Sequence, residues 1–201
     1  MTTPAAVSAQ GLSFAYGERQ ALRNIDFSVA EGSAHGFLGP NGSGKSTLFK
    51  ILSTIVPPQQ GKVSMLGIDL GSDPAAVRMR IGVVFQSPAV DKKLTVRENL
   101  RYAGRLYGMS RADIERRSGE LLAHADLSDR GDDRVGELSG GLRRRVEICK
   151  ALLHGPSLVL LDEASTGLDP AARRDMWSLL KKQKGITVLF TTHLMDEAAE
   201  A

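Results

Sequence analysis

The 201-residue chain holds a single cysteine, Cys149, which excludes an internal disulfide framework and agrees with a reducing compartment. No apolar run approaches the ~18–20 residues that a spanning helix needs, so any role at a membrane requires another chain. The first ten residues lack a basic region followed by an apolar stretch, and with it the mark of a secretory signal. There is no internal repeat and no low-complexity segment. Net charge is also scarce: 26 Lys and Arg against 23 Asp and Glu leave a formal +3, too mild to argue for nucleic acid by itself. What remains is an ordinary globular composition, 42% hydrophobic and 24% charged. The length suits one core, or a core with a small lobe, and not two full domains.

Along the chain, 12–16 and 25–29 alternate apolar with small or polar residues, as half-buried antiparallel strands do. Residues 34–38 form a short apolar run that enters a Gly-rich loop and then a helix over 45–53. Strand returns at 61–65, after the Pro57-Pro58 break, and 81–85 reads as a buried strand ending at Gln86. Between about 94 and 127 the pattern turns helical. Thr95 starts one helix, and Ser110 caps another that runs through Ile114, Leu121 and Leu122. Beyond it, 157–162 is a continuous apolar strand, 171–184 a helix and 187–191 a strand. Buried strands alternating with helices imply a mostly parallel α/β sheet covered on its faces. An antiparallel β lobe is expected on the N-terminal side of this core, and an inserted helical lobe over about 87–153.

Three motifs carry chemistry. Gly39, Pro40, Asn41, Gly42, Ser43, Gly44, Lys45, Ser46 and Thr47 fit the phosphate-loop pattern G-x-x-x-x-G-K-[ST], between a strand and a helix as that pattern requires. Its glycines let successive N–H groups point at a phosphate chain. Lys45 is placed for the β- and γ-phosphates of a nucleotide, and the Ser46 hydroxyl for Mg²⁺. The strand ending in Asp162 and Glu163 delivers two carboxylates beside that loop: Asp162 suits a Mg²⁺ ligand, and Glu163 a base or water-orienting group. The alternative for this pair is an acidic helix start. Leu138-Ser139-Gly140-Gly141-Leu142 opens a helix with a hydroxyl and side-chain-free amides, a second surface suited to an anion. Single residues complete the set. Gln86 ends a strand where its tip can meet the metal or the attacking water, and His193 follows the last strand within reach of a γ-phosphate. Tyr16 ends the first strand and can stack on a base, or serve as a half-buried strand aromatic. His35, His124 and His154 read as ordinary strand or helix residues.

In this order, Tyr16, the phosphate loop, Gln86, the LSGG run, Asp162-Glu163, the segment from Ser165 to Asp169 and His193 resemble the nucleotide-binding domain of ATP-binding cassette (ABC) transporters. The likeness covers essentially the whole chain. It implies that Tyr16 stacks on adenine, that Gln86 couples the site to a membrane subunit while reaching Mg²⁺, and that Glu163 and Lys45 act in catalysis. His193 would be the switch histidine, and 165–169 the loop that crosses to a partner. The resemblance further implies a head-to-tail dimer in which Ser139, Gly140 and Gly141 of one protomer close over ATP held by the other. The other implied partner is a polytopic permease, with the ATPase peripheral on the cytoplasmic face of the membrane.

Leu142 stands where many members of the family carry glutamine, and Ala164 where proline often follows the glutamate. Together with the Arg143-Arg144-Arg145 run, these features resemble the drug- and antibiotic-exporter branch. The chain stops at Ala201, eight residues past His193, where the family continues with a helix, strands and a tail, so C-terminal truncation is expected. A soluble ATPase of the same class acting on nucleic acid or ribosomes is the alternative. The chain has neither a long coiled coil nor a second cassette to support it, and the arginine run is expected to be a solvated or ion-paired helix start. A non-catalytic cassette is disfavoured because Lys45, Ser46, Asp162, Glu163 and His193 are all present. A GTPase is disfavoured because no Asn-Lys-x-Asp reader of guanine occurs.

Overall fold

In the computed structural model of the protein, which describes residues 4–193 and 197, strands β1 (Ala5–Tyr16) and β2 (Arg19–Ala30) pair antiparallel. Gly17, at φ +59°, lies in the turn between them. Strand β4 (Gln60–Met65) joins the other edge of β1, and the short β5 (Ile68–Asp69) follows it, giving the order β2-β1-β4-β5. The second sheet is parallel and consists of β3 (Ala34–Leu38), β6 (Ile81–Val84), β7 (Leu158–Asp162) and β8 (Thr187–Thr192), in the order β3-β8-β7-β6. The expected P-loop α/β core with an N-terminal antiparallel sheet is the architecture found.

Helix α1 (Lys45–Leu52) lies between the two sheets and is buried nearly all round; Phe49, Ile51 and Leu52 are almost fully enclosed. It shares one core with Val7, Leu12 and Met65 of the antiparallel sheet and with Leu158, Leu160 and Leu189 of the parallel one. Each such side chain stabilises the fold by about 1.5–3 kcal/mol. The intervening residues Val159, Leu161, Val188 and Phe190 face the opposite way, into a second core. Burial on both faces explains why β7 reads as an uninterrupted apolar run.

That second core is shared with the helices. Helix α3 (Val96–Leu106) opens on a full capping box, Thr95 with Glu98, and α4 (Arg111–His124) on Ser110, whose Oγ accepts from the Asp113 amide at 3.1 Å. Helix α5 (Gly140–Leu152) is capped by Ser139, and α6 (Pro170–Lys181) by Asp169 with Pro170 in its first turn. Gly82 lets α5 approach β6 closely, since a Cβ there would lie 2.4 Å from the Ala151 carbonyl oxygen.

Several boundaries differ from the sequence reading. Strands β1 and β2 are twelve residues each, longer than the alternation suggests, because register irregularities around Gly11 and Leu12 break the period of two. Helix α6 stops at Lys181 rather than 184, and left-handed Gly185 follows at φ +73°. Helix α2 (Pro74–Arg78), capped by Asp73, and β5 were not anticipated; both are too short to show a period. Among the described residues no helix is long and apolar enough to cross a membrane.

His154 is not the ordinary helix residue expected. It follows α5 in a turn, stacks on Tyr107 with ring centroids 3.6 Å apart, and its Nε2 lies 3.0 Å from the Ile81 carbonyl oxygen. Burial pulls its pKa down from 6.5 to about 4, against the opposing pull of that carbonyl. The unfolded ring therefore takes up a proton that the folded ring refuses. This contribution to stability is complete above about pH 6.5 and is lost as pH falls towards 4. Allowing for partial exposure of the ring, denaturant unfolding at pH 4.5 is expected to show about 2 kcal/mol less stability from this group than at pH 7.5. His154→Phe, which keeps a ring against Tyr107, should flatten that part of the slope, and an unchanged slope would contradict the assignment.

Candidate nucleotide site

All four strands of the parallel sheet deliver a motif from the same, carboxyl-terminal edge, where ligands of open α/β sheets bind. Leu38 pairs with Thr192, Asp162 with Thr191 and Val84 with Leu161. The residues just beyond these ends are Gly39, Gln86, Glu163 and His193. Sequence positions more than 150 apart thus meet on one rim.

The phosphate loop turns from β3 into α1 through Gly44, in a left-handed conformation at φ +96°, where a Cβ would lie 2.6 Å from the Ala21 carbonyl oxygen. Lys45 is buried, and its Nζ donates to the carbonyls of Gly39 at 2.6 Å and Pro40 at 3.0 Å, within its own loop. A cleft of about 250 Å³ opens over this loop; Tyr16, Arg19, Lys45, Ser46, Lys50 and Glu163 are among the groups that line it. Three cationic side chains beside an exposed aromatic suit a phosphorylated aromatic ligand. Tyr16, 46% exposed, makes an edge-to-face pair with Phe14 at 4.9 Å and is open to solvent at the cleft.

Around Glu163 the groups converge. Gln86 Nε2 donates to Glu163 Oε2 at 3.3 Å, and His193 Nδ1 lies 3.9 Å from the same oxygen. Glu163 is one of few non-glycine residues in left-handed backbone, at φ +47°, a conformation that costs free energy and is concentrated at functional sites. Thr191 holds the backbone here. Its hydroxyl accepts from the Glu163 amide at 2.9 Å and donates to Asp162 Oδ1 at 2.7 Å, so one side chain fixes both the Asp162 carboxylate and the main chain from which Glu163 projects. Sequence reading missed Thr191, whose only signal was its place at the end of the strand that would lie beside Asp162.

Ser139, Gly140 and Gly141 lie apart from the cleft lining. Ser139 is exposed and its Oγ accepts from the Leu142 amide at 3.3 Å. A Cβ on Gly140 would meet nothing within 4 Å, and on Gly141 would meet only Ala172 Cβ at 3.1 Å. Glycine weakens a helix start relative to serine or alanine, and the packing of the described residues gives no reason for it at 140. In the segment expected to cross to a partner, Thr166, Gly167 and Asp169 are exposed. Ser165 is instead buried, donating to Glu197 Oε2 at 2.7 Å.

The profile of the ABC transporter family matches residues 22–166, which includes the phosphate loop, the LSGG run and Asp162-Glu163. The chain belongs to the ABC transporter family. Within it, the chain is 43% identical over 195 residues to the daunorubicin resistance ATP-binding protein DrrA2 of Streptomyces coeruleorubidus, covering 96% of this chain and 61% of that protein. It is 42% identical over 195 residues to the Nod factor export ATP-binding protein I of Rhizobium meliloti (strain 1021), covering 96% of this chain and 58% of that protein. The chain thus spans about three fifths of the length of these curated relatives. A solved ATP-binding subunit of an ABC transporter superposes with a TM-score of 0.85 at 32% identity, over 96% of this chain and 81% of its own. The rim of motifs described above is therefore the rim of an ABC ATP-binding fold.

The arginine run is only in part the paired helix start expected, because Arg144 turns inward. Arg143 Nη1 donates to the Leu138 carbonyl at 2.8 Å, Arg144 is buried against Glu147, and Arg145 bonds Asp175 and the Ala125 carbonyl.

Proposed function

We propose that the chain is the ATP-binding and ATP-hydrolysing subunit of an exporter, working on a separate polytopic membrane permease. The observation that carries the hydrolytic reading is the convergence of Gln86 and His193 on the Glu163 carboxylate, in the cleft walled by the phosphate loop. In this reading Tyr16 stacks on adenine, and the amides of 39–47 with Lys45 hold the β- and γ-phosphates. Glu163 orients the attacking water and takes its proton, with Gln86 and His193 fixing the carboxylate. Water attacks the γ-phosphorus in line, the bond to the β–γ bridging oxygen breaks, and ADP leaves. Lys45 and the loop amides stabilise the charge that spreads over the transferred phosphoryl.

The donor set suits Mg²⁺: the Ser46 hydroxyl, the Asp162 carboxylate already aimed by Thr191, and the Gln86 amide are all oxygen ligands, few enough to leave room for phosphates and waters. Bound there, Mg²⁺ supplies charge neutralisation on the phosphate oxygens.

The site is completed by a second ATP-binding domain, taken as another copy of this chain. The support is Gly140, a glycine at a helix N-terminus that no contact among the described residues requires; bare amides there suit a phosphate held by the partner. We take 87–153 as the helical lobe that meets the permease. Beside α3 a groove is lined by Phe85, Ala103, Leu106, Tyr107 and Ala151, with Leu106 85% exposed, an apolar lining suited to a protein partner. Relatives named for daunorubicin resistance and Nod factor export favour an exporter, and hence a peripheral place on the cytoplasmic face of the membrane. Phosphate release from ATP by the purified chain tests the hydrolytic reading. It is expected with Mg²⁺ and to be lost with EDTA; release that survives chelation would contradict the assignment of Ser46, Gln86 and Asp162.

A further inference from the structure

The helix that begins at Ser139 also grips the loop that carries Gln86. Arg144 lies five residues along α5 from Ser139, about 7.5 Å at the helical rise. Its side chain is 7% exposed and divides its donors three ways. Nη1 donates to the Phe85 carbonyl at 2.8 Å and to Glu147 Oε2 at 2.7 Å, and Nη2 donates to the Gln86 carbonyl at 3.1 Å. Glu147 in turn accepts from the Ala89 amide, and Lys150 Nζ donates to the Ala89 carbonyl. Three side chains of one helix thus hold both ends of the segment 85–89.

The arrangement has a cost. Burial pushes the Glu147 carboxyl above its ordinary range, with Arg144 pulling the other way. A buried ion pair is weak evidence for stability, so the reason for this one is sought in what it holds. Beyond the loop, the Gln86 side chain meets Glu163 Oε2, the oxygen that His193 also approaches. An unbroken path therefore runs from the N-terminus of α5 through Arg144 and Gln86 to the carboxylate at the cleft.

We infer that Arg144 is a positioning residue. It fixes Gln86, and through Gln86 the Glu163 carboxylate, to the helix whose N-terminus carries Ser139. Engagement of that N-terminus by nucleotide on a second copy is thereby transmitted to the carboxylate of the same chain. The consequence for turnover rests on the proposed ATPase reading; the tether itself does not. Lysine at 144 keeps the charge facing Glu147, but a single ammonium cannot serve two carbonyls and a carboxylate in the fork geometry of a guanidinium.

The test is Arg144→Lys, alone and in a Gln86→Ala background. Alone, it is expected to leave the Kd for Mg·ATP within about twofold and to lower kcat by about 10- to 100-fold, the effect of a misplaced catalytic group. In the Gln86→Ala background the same change should cost less than about threefold further, because the group it positions is gone. Hydrogen exchange at the Ala89 amide should quicken about tenfold in Arg144→Lys while core amides keep their protection. The double variant Arg144→Met, Glu147→Leu removes the pair without stranding a buried charge, and should show the same split between kcat and Kd. Losses that multiply in the Gln86→Ala background would overturn the inference, as would unchanged exchange at Ala89. If the unaltered chain released no phosphate, the ATPase reading would fall. Exchange at Ala89 would still decide the tether.

Discussion

Ser139→Arg is expected to leave ATP binding by the isolated chain intact and to abolish its turnover. Ser139 is exposed and lies outside the cleft lining, so a bulky residue there leaves the chain's own phosphate loop, Tyr16 and Glu163 untouched. In the proposed sandwich the same residue faces the γ-phosphate held by the partner. The substitution removes a hydroxyl and fills the space that the bare helix start keeps open. Loss of one such oxyanion-stabilising donor costs about 10²–10³ in kcat, and obstruction of closure adds to that. The change also removes the cap that accepts from the Leu142 amide, worth about 1 kcal/mol, so a thermal midpoint lowered by a few degrees is compatible with the account. Equilibrium binding of a fluorescent ATP analogue, beside phosphate release, separates the two effects. Loss of binding in step with turnover would place Ser139 in the chain's own pocket and contradict the composite site.

Glu163→Gln should lower kcat by about 10²–10⁴, the range expected for loss of a positioned general base, or about 3–5 kcal/mol of barrier. The replacement keeps the shape of the side chain and an oxygen that can accept from Gln86 Nε2. It does not keep the basicity needed to take a proton from water. Binding should persist, because in the proposed site the phosphate loop and not Glu163 supplies the contacts to the phosphates. Arrested before hydrolysis, the variant is expected to accumulate as an ATP-bound dimer on size-exclusion chromatography. Unchanged turnover would remove Glu163 from the mechanism.

How much of this was legible in the sequence follows from how each feature is encoded. The phosphate loop and the LSGG run are contiguous, and their local patterns state their structural context. Asp162, Glu163, Gln86 and His193 could be placed because each terminates an apolar run, and parallel strands deliver their ends to one edge. Thr191, Arg144 and His154 escaped because their roles depend on partners 28 to 73 positions away, reached only through packing. Arg144 was read with its neighbours as a charged helix start. Of the three arginines it alone is enclosed, and nothing in a run of identical residues tells which one turns inward. In the antiparallel sheet the alternation was read correctly but cut short, since the register irregularities of β1 erase the period that a strand is recognised by.

In the proposed dimer a working site takes its phosphate loop from one chain and its Ser139–Gly141 surface from another. Phosphate release per chain, measured at saturating Mg·ATP over a wide range of protein concentration, tests it most directly. The specific rate is expected to be negligible in dilute, monomeric protein, to rise as dimers form and then to level off. A specific rate that is high and constant down to concentrations at which only monomer is present would contradict it.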